Sequence, residues 1–188
     1  MIDLQPHAPW PGPLCVLDVD YDDVSGTAKA AAVCVDHAGV DAARGAAFAV
    51  DVDGVAPYQP GAFFLRELPC LLAVLAQASV VDGVALVVDG YVVLDDDGKP
   101  GLGMRLHEAT GRPVIGIAKT SFKGSRHARA VLRGRTATRP LYVTAAGVDV
   151  DVAAATVLAM HGLDRLPTAV VHADHVARGR LAPHARAV

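Results

Sequence analysis

The 188-residue chain is defined first by what it lacks. No apolar run approaches the roughly 20 residues needed to span a bilayer, which excludes a helical membrane anchor within this sequence. Its first residues, M-I-D-L-Q-P-H, have neither the basic region nor the apolar stretch of an export signal. Only three cysteines occur, Cys15, Cys34 and Cys70, an odd number set far apart in apolar surroundings. They read as buried thiols of a reducing compartment and not as a disulfide or zinc framework, so the expected location is the cytoplasm. The eight histidines form no H-E-x-x-H pair or other zinc spacing. G-x-S-x-G is absent, which removes the usual frame of a serine nucleophile. Gly98, Gly101 and Gly103 have the wrong order for a dinucleotide fingerprint, and no strand leads into them.

Acid is also missing from one long stretch. Between Ala109 and Val148 there is no Asp or Glu, yet eight of the chain's 17 lysines and arginines lie there: Arg112, Lys119, Lys123, Arg126, Arg129, Arg133, Arg135 and Arg139. All 20 acids lie outside it, so a net charge of −3 conceals a strong segregation. An acidic region beside a basic one suits a metal-dependent phosphodiesterase, because acids hold cations and bases hold a polyanion. A solvated basic loop whose charges find partners elsewhere on the fold accounts for the pattern equally well.

What is present is an Ala- and Val-rich chain, 52% apolar, long enough for one domain with a sizeable core. Four prolines among residues 1–13 predict an extended arm. Residues 14–178 are expected to form the domain, and 179–188 a flexible tail. Strands are expected over 14–21, 27–35 and 46–52, joined by short turns as an antiparallel meander. A helix over 61–77, kinked near Pro69, follows them. Continuous apolar runs at 84–88 and 114–118 predict strands buried on both faces. Helices over 102–109, 151–161 and 168–177 and a late strand over 141–144 complete the chain. This order gives an α/β fold with a mixed sheet flanked by helices: a three-stranded antiparallel meander plus parallel strands. It is the outline of a ribonuclease-H-like fold, which other α+β folds share.

Two of the apolar runs terminate in acids, Asp18 and Asp89. Ligands collect at strand ends in open sheets, so both carboxylates are placed to point into one cleft. Glu67 is anomalous, since its neighbours Phe63, Phe64, Leu68, Leu71 and Leu72 have a core pattern. Carboxylates gathered in a low-dielectric site cannot all ionise without a cation, and oxygen ligands favour Mg²⁺, with Mn²⁺ as an alternative. Such a site suits in-line attack of water on a phosphodiester. Strand-end aspartates that merely cap turns are the competing reading, and Asp20, Asp22 and Asp23 leave the metal-facing member of the first group open. Lys119, after the third apolar run, is placed to stabilise transition-state charge, with Thr120, Ser121 and Lys123 as phosphate contacts. Asp95-Asp96-Asp97-Gly98 reads as a solvated turn. Pro57-Tyr58-Gln59-Pro60 fixes a tyrosine ring on a stiff, exposed platform.

Together these stretches resemble the endonuclease V family, the deoxyinosine-directed nucleases of the ribonuclease-H-like superfamily. P-Y-Q-P-G-A-F-F-L-R-E-L-P at 57–69 is similar to the family's P-Y-I-P-G-x-x-x-x-R-E-x-P. V-L-D-V-D-Y at 16–21, V-V-D-G at 87–90 and I-G-I-A-K at 115–119 resemble its first-strand, V-D-G and lysine motifs. R-L-P-T-A-V-V-H-A-D at 165–174 resembles its C-terminal block. The resemblance implies Asp18, Glu67, Asp89 and Asp174 as metal-site acids and Lys119 as a catalytic residue. It implies nucleic-acid contacts at Pro57, Tyr58, Gln59, Pro60, Gly90, Thr120, Lys123 and Arg126, with Tyr58 as a wedge at the lesion. The implied reaction is a metal-dependent cut 3′ to a deaminated purine, leaving a 3′-hydroxyl and a 5′-phosphate. DNA is the implied partner, with RNA as an alternative and no protein partner required.

Two segments depart from the family. Tyr91 to Gly98, with three aspartates, replaces a Q-G-x-x-H-P-R-like segment, and Gly147 to Asp151 replaces a G-H-R-x-S-like one. Acids in place of His and Arg disfavour duplex DNA held in the usual way. An inosine-RNA or single-strand nuclease, or a nucleic-acid-binding module of weak activity, therefore remain alternatives.

Overall fold

The computed structural model describes residues 7–57, 59, 63–80, 82–122 and 126–185. Three strands open the chain: β1 (Leu14–Asp22), β2 (Thr27–Val35) and β3 (Ala46–Asp53). Helix α1 (Phe63–Ala78) leads to β4 (Ala85–Asp89), and α2 (Leu102–Thr110) leads to β5 (Val114–Ala118). The short β6 (Arg129–Val131), β7 (Leu141–Ala146), α3 (Val150–Ala159) and α4 (Thr168–Ala177) follow. The seven strands form one sheet in the order β3-β2-β1-β4-β5-β7-β6. β1, β4 and β5 run parallel, and the other neighbours pair antiparallel. This is the ribonuclease-H-like mixed sheet that the element order predicts. Among the described residues no helix is long and apolar enough to cross a membrane.

Alternation along the strands divides the core in two. Leu14, Val16, Val87, Ile115 and Ile117 face α3 and α4. Leu17, Leu86, Val88 and Val114 face α1 and α2. Successive side chains of a strand point to opposite faces, so continuous apolar runs are what a sheet covered on both sides requires.

Several features differ from the sequence-based expectation. β1 extends beyond Asp18 to Asp22, which places Asp18 within the strand and not at its end. Helix α1 contains Pro69, as the expected helix does. Three thiols were expected, but Cys15 and Cys34 are directly opposed across β1 and β2, Cα atoms 4.1 Å apart, and form a disulfide; Cys70 alone is free. Their separation of 19 residues conceals the register of the hairpin that brings them together. Beyond α4, His184 pairs with Ala47 of β3 through two backbone hydrogen bonds of 2.9 and 3.0 Å.

Arg133 is buried, and its guanidinium donates to the carbonyls of Val157, Met160, His161, Gly162 and Asp164. It caps the C-terminal end of α3, where unpaired carbonyls collect and a cation is favoured. Arg133→Ala leaves these acceptors without a donor and is expected to lower stability by about 3 kcal/mol. A urea midpoint unchanged from the parent's would contradict this role.

Candidate active site

The parallel register of β1 and β4 pairs Leu17 with Val88, so the next residues, Asp18 and Asp89, stand side by side on the face covered by α4. β4 ends at Asp89 while β1 continues in its hairpin with β2, and the divergence opens a crevice at the ends of the parallel strands. Gly90 makes the exit turn at φ +154°, a conformation a residue with a Cβ rarely adopts, and its N–H donates to Ile117 O at 2.9 Å. The chain then crosses close over Gly116, where an added Cβ would lie 2.5 Å from Gly90 O. The Val92 N–H ends on the buried Thr144 hydroxyl, 2.8 Å away.

The crevice is a cleft of about 300 Å³, lined by Asp18, Asp89, Lys119, Leu166, Asp174 and Arg178 among others. Lys119 Nζ donates to Asp89 Oδ2 at 2.5 Å. Arg178, one turn beyond Asp174 on α4, donates to that carboxylate at 2.7 Å and reaches Asp20 at 3.5 Å. Asp22 instead receives the Val24 and Ser25 amides of its turn, and Asp23 pairs with Arg66. The first acidic group thus sorts itself: Asp18 faces the cleft, while its neighbours close a turn or meet arginines.

Glu67 reaches the same region from α1, on the opposite face of the sheet. It is buried, and its Oε2 has no hydrogen-bond partner. Burial, followed by the charges of Asp18 and Asp89, pushes its pKa up to about 8 against the pull of Arg66. Burial is also the main reason the Asp18 carboxyl rises to about 6; the nearby charges of Asp174 and Asp89 add to the rise. Arg66 is buried as well, stacked 3.8 Å above the Tyr21 ring and paired with Asp23, which fixes the start of α1 against the end of β1.

Asp18 thus feels the charges of Asp89 and Asp174, and Glu67 those of Asp18 and Asp89. Among the described residues, however, no three His, Cys, Asp or Glu side chains are grouped as a ready metal site. Lys119 and Arg178 rest on two of the carboxylates instead. The donor set fits a hard divalent cation: oxygen ligands only, two of them with pKa values raised by burial and neighbouring charge, one with an orphaned oxygen.

Of the remaining expected contacts, Pro57 lines a separate hollow together with Asp23 and Arg66. Pro57 and Gln59 are exposed, while Tyr58, Pro60 and Lys123 lie outside the described residues. Thr120 and Arg126 are exposed. Arg126 is held by Asp96 through its own backbone N–H at 2.6 Å and by the Asp96 carbonyl at 3.0 Å. Asp95 Oδ1 accepts the Lys99 N–H at 2.9 Å, which closes the acidic run as a turn. In the second divergent segment Asp149 caps α3 and Asp151 pairs with Arg129 at 2.5 Å. The unusual acids are thus structural partners of the chain's own bases and backbone.

Two side chains outside the expected set hold the lysine loop. The Tyr91 hydroxyl donates to Thr120 O at 2.9 Å and accepts from Phe122 N at 3.0 Å. Arg165, first residue of the R-L-P block, donates to the carbonyls of Lys119 at 2.5 Å and Pro140 at 2.7 Å. Only the family pattern around Arg165 marked it, and nothing in the sequence marked Tyr91, since both act on backbone from a distant segment.

A sequence model of the family described as Endonuclease V matches residues 3–130. The endonuclease V of Streptomyces avermitilis is 32% identical over 192 aligned positions, spanning 92% of this chain and 82% of that protein. The Azotobacter vinelandii endonuclease V is 30% identical over 90% of this chain and 83% of its own length. The crystal structure of the S. avermitilis endonuclease V superposes with a TM-score of 0.79 at 29% identity, covering 96% of this chain and 86% of that one. Endonuclease V from Ciona intestinalis, in complex with a 24-mer DNA containing an inosine followed by a ribo-adenosine, shares the fold at a TM-score of 0.74 and 17% identity, over 90% and 85% of the two chains. On the family match and the extent of these relatives, the chain belongs to the endonuclease V family and is a nuclease.

Proposed function

We propose that this protein is a divalent-metal-dependent endonuclease that hydrolyses the phosphodiester 3′ to a deaminated purine, deoxyinosine above all, in DNA. The observation that carries the reading is the acid set itself: Asp18 beside Asp89 by register, with Glu67 buried and Oε2 left without a partner. Asp18, Glu67, Asp89 and Asp174 would hold Mg²⁺, or Mn²⁺ in its place. When bound, the cation supplies positive charge for the phosphate oxygens and lowers the pKa of water in the site.

The chain's own groups carry the rest. The Lys119 ammonium, held at the cleft by Asp89, is positioned to face the negative charge that develops on the phosphate. Tyr91 and Arg165 hold the backbone at and just after that lysine, so its placement does not depend on the substrate. The Pro57–Pro60 loop carries Tyr58 as the ring that takes the place of a lost stacking partner when the base leaves the helix, worth on the order of a few kcal/mol.

The test is cleavage in Mg²⁺ of labelled strands carrying inosine, uracil, an abasic site or no lesion, with matched RNA strands in parallel. Preferred cleavage of the inosine DNA strand is expected; equal cleavage of all strands would remove the lesion specificity. Tyr58→Ala is expected to weaken binding of the inosine strand by roughly tenfold or more, as loss of one stacking contact implies. Equal affinity of the parent protein for inosine and plain strands would dispose of the wedge.

A further inference from the structure

The acid-free stretch that stands out in the sequence is largely accounted for by the fold, and what is left over is informative. Arg129 pairs with Asp151, and Arg126 is held by Asp96. Arg133 is buried among carbonyls, Lys119 belongs to the cleft, and Arg112 donates to Val80 O. Lys123 lies outside the described residues, and among those described Arg135 and Arg139 remain: both are exposed, and neither guanidinium has a partner there.

Their place in the fold is fixed by the segment that follows α3. Arg135 N donates to Leu163 O at 3.1 Å. Gly134 lies so close to Asp164 and Arg165 that an added Cβ would stand 2.7 Å from Arg165 N. Arg165 then ties Pro140, the neighbour of Arg139, to the carbonyl of Lys119, and Leu166 lines the cleft itself. Asp164, the acid of this segment, interacts with the buried Arg133. Two unpaired guanidinium groups thus stand on a loop whose base is joined to the backbone of the cleft lysine.

We propose that Arg135 and Arg139 form a phosphate-binding ridge that carries the nucleic-acid backbone past Lys119, outside the position of cleavage. The proposal rests on the nuclease reading above and adds a site to it. Guanidinium groups match phosphate oxygens with paired donors, and phosphate contacts set the register of a strand without reading its sequence. The ridge therefore supplies affinity to inosine-containing and plain strands alike, leaving lesion preference to other parts of the protein.

Each phosphate contact on a single strand releases about 0.7 of a counterion, so losing two should reduce the salt slope of binding by about 1.4. The experiment follows the anisotropy of a fluorescein-labelled single-stranded 20-mer with one inosine, bound to the full chain in EDTA across a series of KCl concentrations. The double variant Arg135→Ala/Arg139→Ala is expected to show the smaller slope and roughly tenfold weaker binding at low salt. Its affinity loss should be the same for a plain strand. In Mg²⁺, KM should rise while kcat at saturating strand stays within about twofold of the parent.

Arg44→Glu serves as the charge-matched control, because it changes net charge by the same amount. It lies in the short 3₁₀ turn before β3, by the N-terminal end of β1 and away from the cleft. A double variant with the parent's slope, or an equal change in Arg44→Glu, overturns the ridge. A parent that cleaves while the double variant keeps its slope rejects the ridge and leaves the nuclease reading standing. A parent that binds with the expected slope change but never cleaves rejects the catalytic reading alone, and one that binds no strand rejects both.

Discussion

Replacing Asp89 with alanine is expected to reduce cleavage of an inosine-containing strand by a thousandfold or more, on the order of 4 kcal/mol of transition-state stabilisation. The reasoning is geometric. Asp89 is the last residue of β4, adjacent by register to Asp18, and its carboxylate also anchors the Lys119 ammonium at 2.5 Å. One substitution therefore removes an acid from the proposed cation site and releases the lysine. The fold should hardly notice, because Asp89 is exposed and such an ion pair contributes about 1 kcal/mol at most. Asp89→Asn separates the two effects, since it keeps the shape and removes only the charge. Melting curves that overlay the parent's, combined with lost cleavage, are the expected result. Cleavage at the parent's rate would remove Asp89 from the active site and with it the acid-set argument.

Elements with buried apolar runs or clear boundaries were the easiest to read. β2, β5 and α4 fall on their expected residues, because buried runs and helix boundaries leave local signals. β6 was invisible: three residues, Arg-Ala-Val, contain no periodicity, and only β7 beside them makes them a strand. Asp18 faces the cleft but was wrongly placed at a strand end. The apolar run stops there, yet the strand continues because the hairpin with β2 supplies its hydrogen bonds. Cys15 and Cys34 failed for a related reason, since a cross-strand pair is a property of register and not of spacing.

Charge was legible as a pattern but not as a set of partners. The sequence separates acids from bases, and the fold then pairs Asp151 with Arg129 and rests the Arg126 guanidinium on the Asp96 carbonyl, which reduces eight candidate phosphate ligands to a few. The same long-range pairing explains why the acidic departures from the family pattern are compatible with a polyanion nearby. Arg66 shows the limit most clearly. It sits in the recognised R-E-L-P stretch, but its contact with the Tyr21 ring depends on how α1 lies across the end of β1, which no local pattern encodes.

Glu67→Gln is expected to abolish cleavage and, in the absence of divalent metal, to make the protein more stable at high pH. The Glu67 carboxyl titrates at about 8 in the folded protein against an ordinary value of 4.5, chiefly because burial opposes its charge. Below about pH 4.5 the group is protonated in both folded and unfolded chains and contributes nothing to the difference. Between there and about pH 8 the folded protein retains a proton that the unfolded chain has lost, so stability falls as pH rises. Above pH 8 the penalty is fully present, at about 3–5 kcal/mol for a shift of this size. Asp18, raised to about 6, adds a smaller loss with the same sign over a lower range. Glutamine retains the shape and cannot ionise, although its amide needs a partner where Oε2 has none. A net gain of roughly 2 kcal/mol at pH 8.5 in EDTA is therefore expected, shrinking to nothing or reversing at pH 5. The informative quantity is the difference between variant and parent at each pH. Mg²⁺ should raise the melting temperature of the parent at pH 8.5 far more than that of Glu67→Gln, because only the parent gains a counterion for a buried charge. A variant less stable than the parent at pH 8.5 in EDTA would mean that the Glu67 carboxylate is already compensated within the fold. The reason for placing a charge in that position would then lie elsewhere than in cation binding.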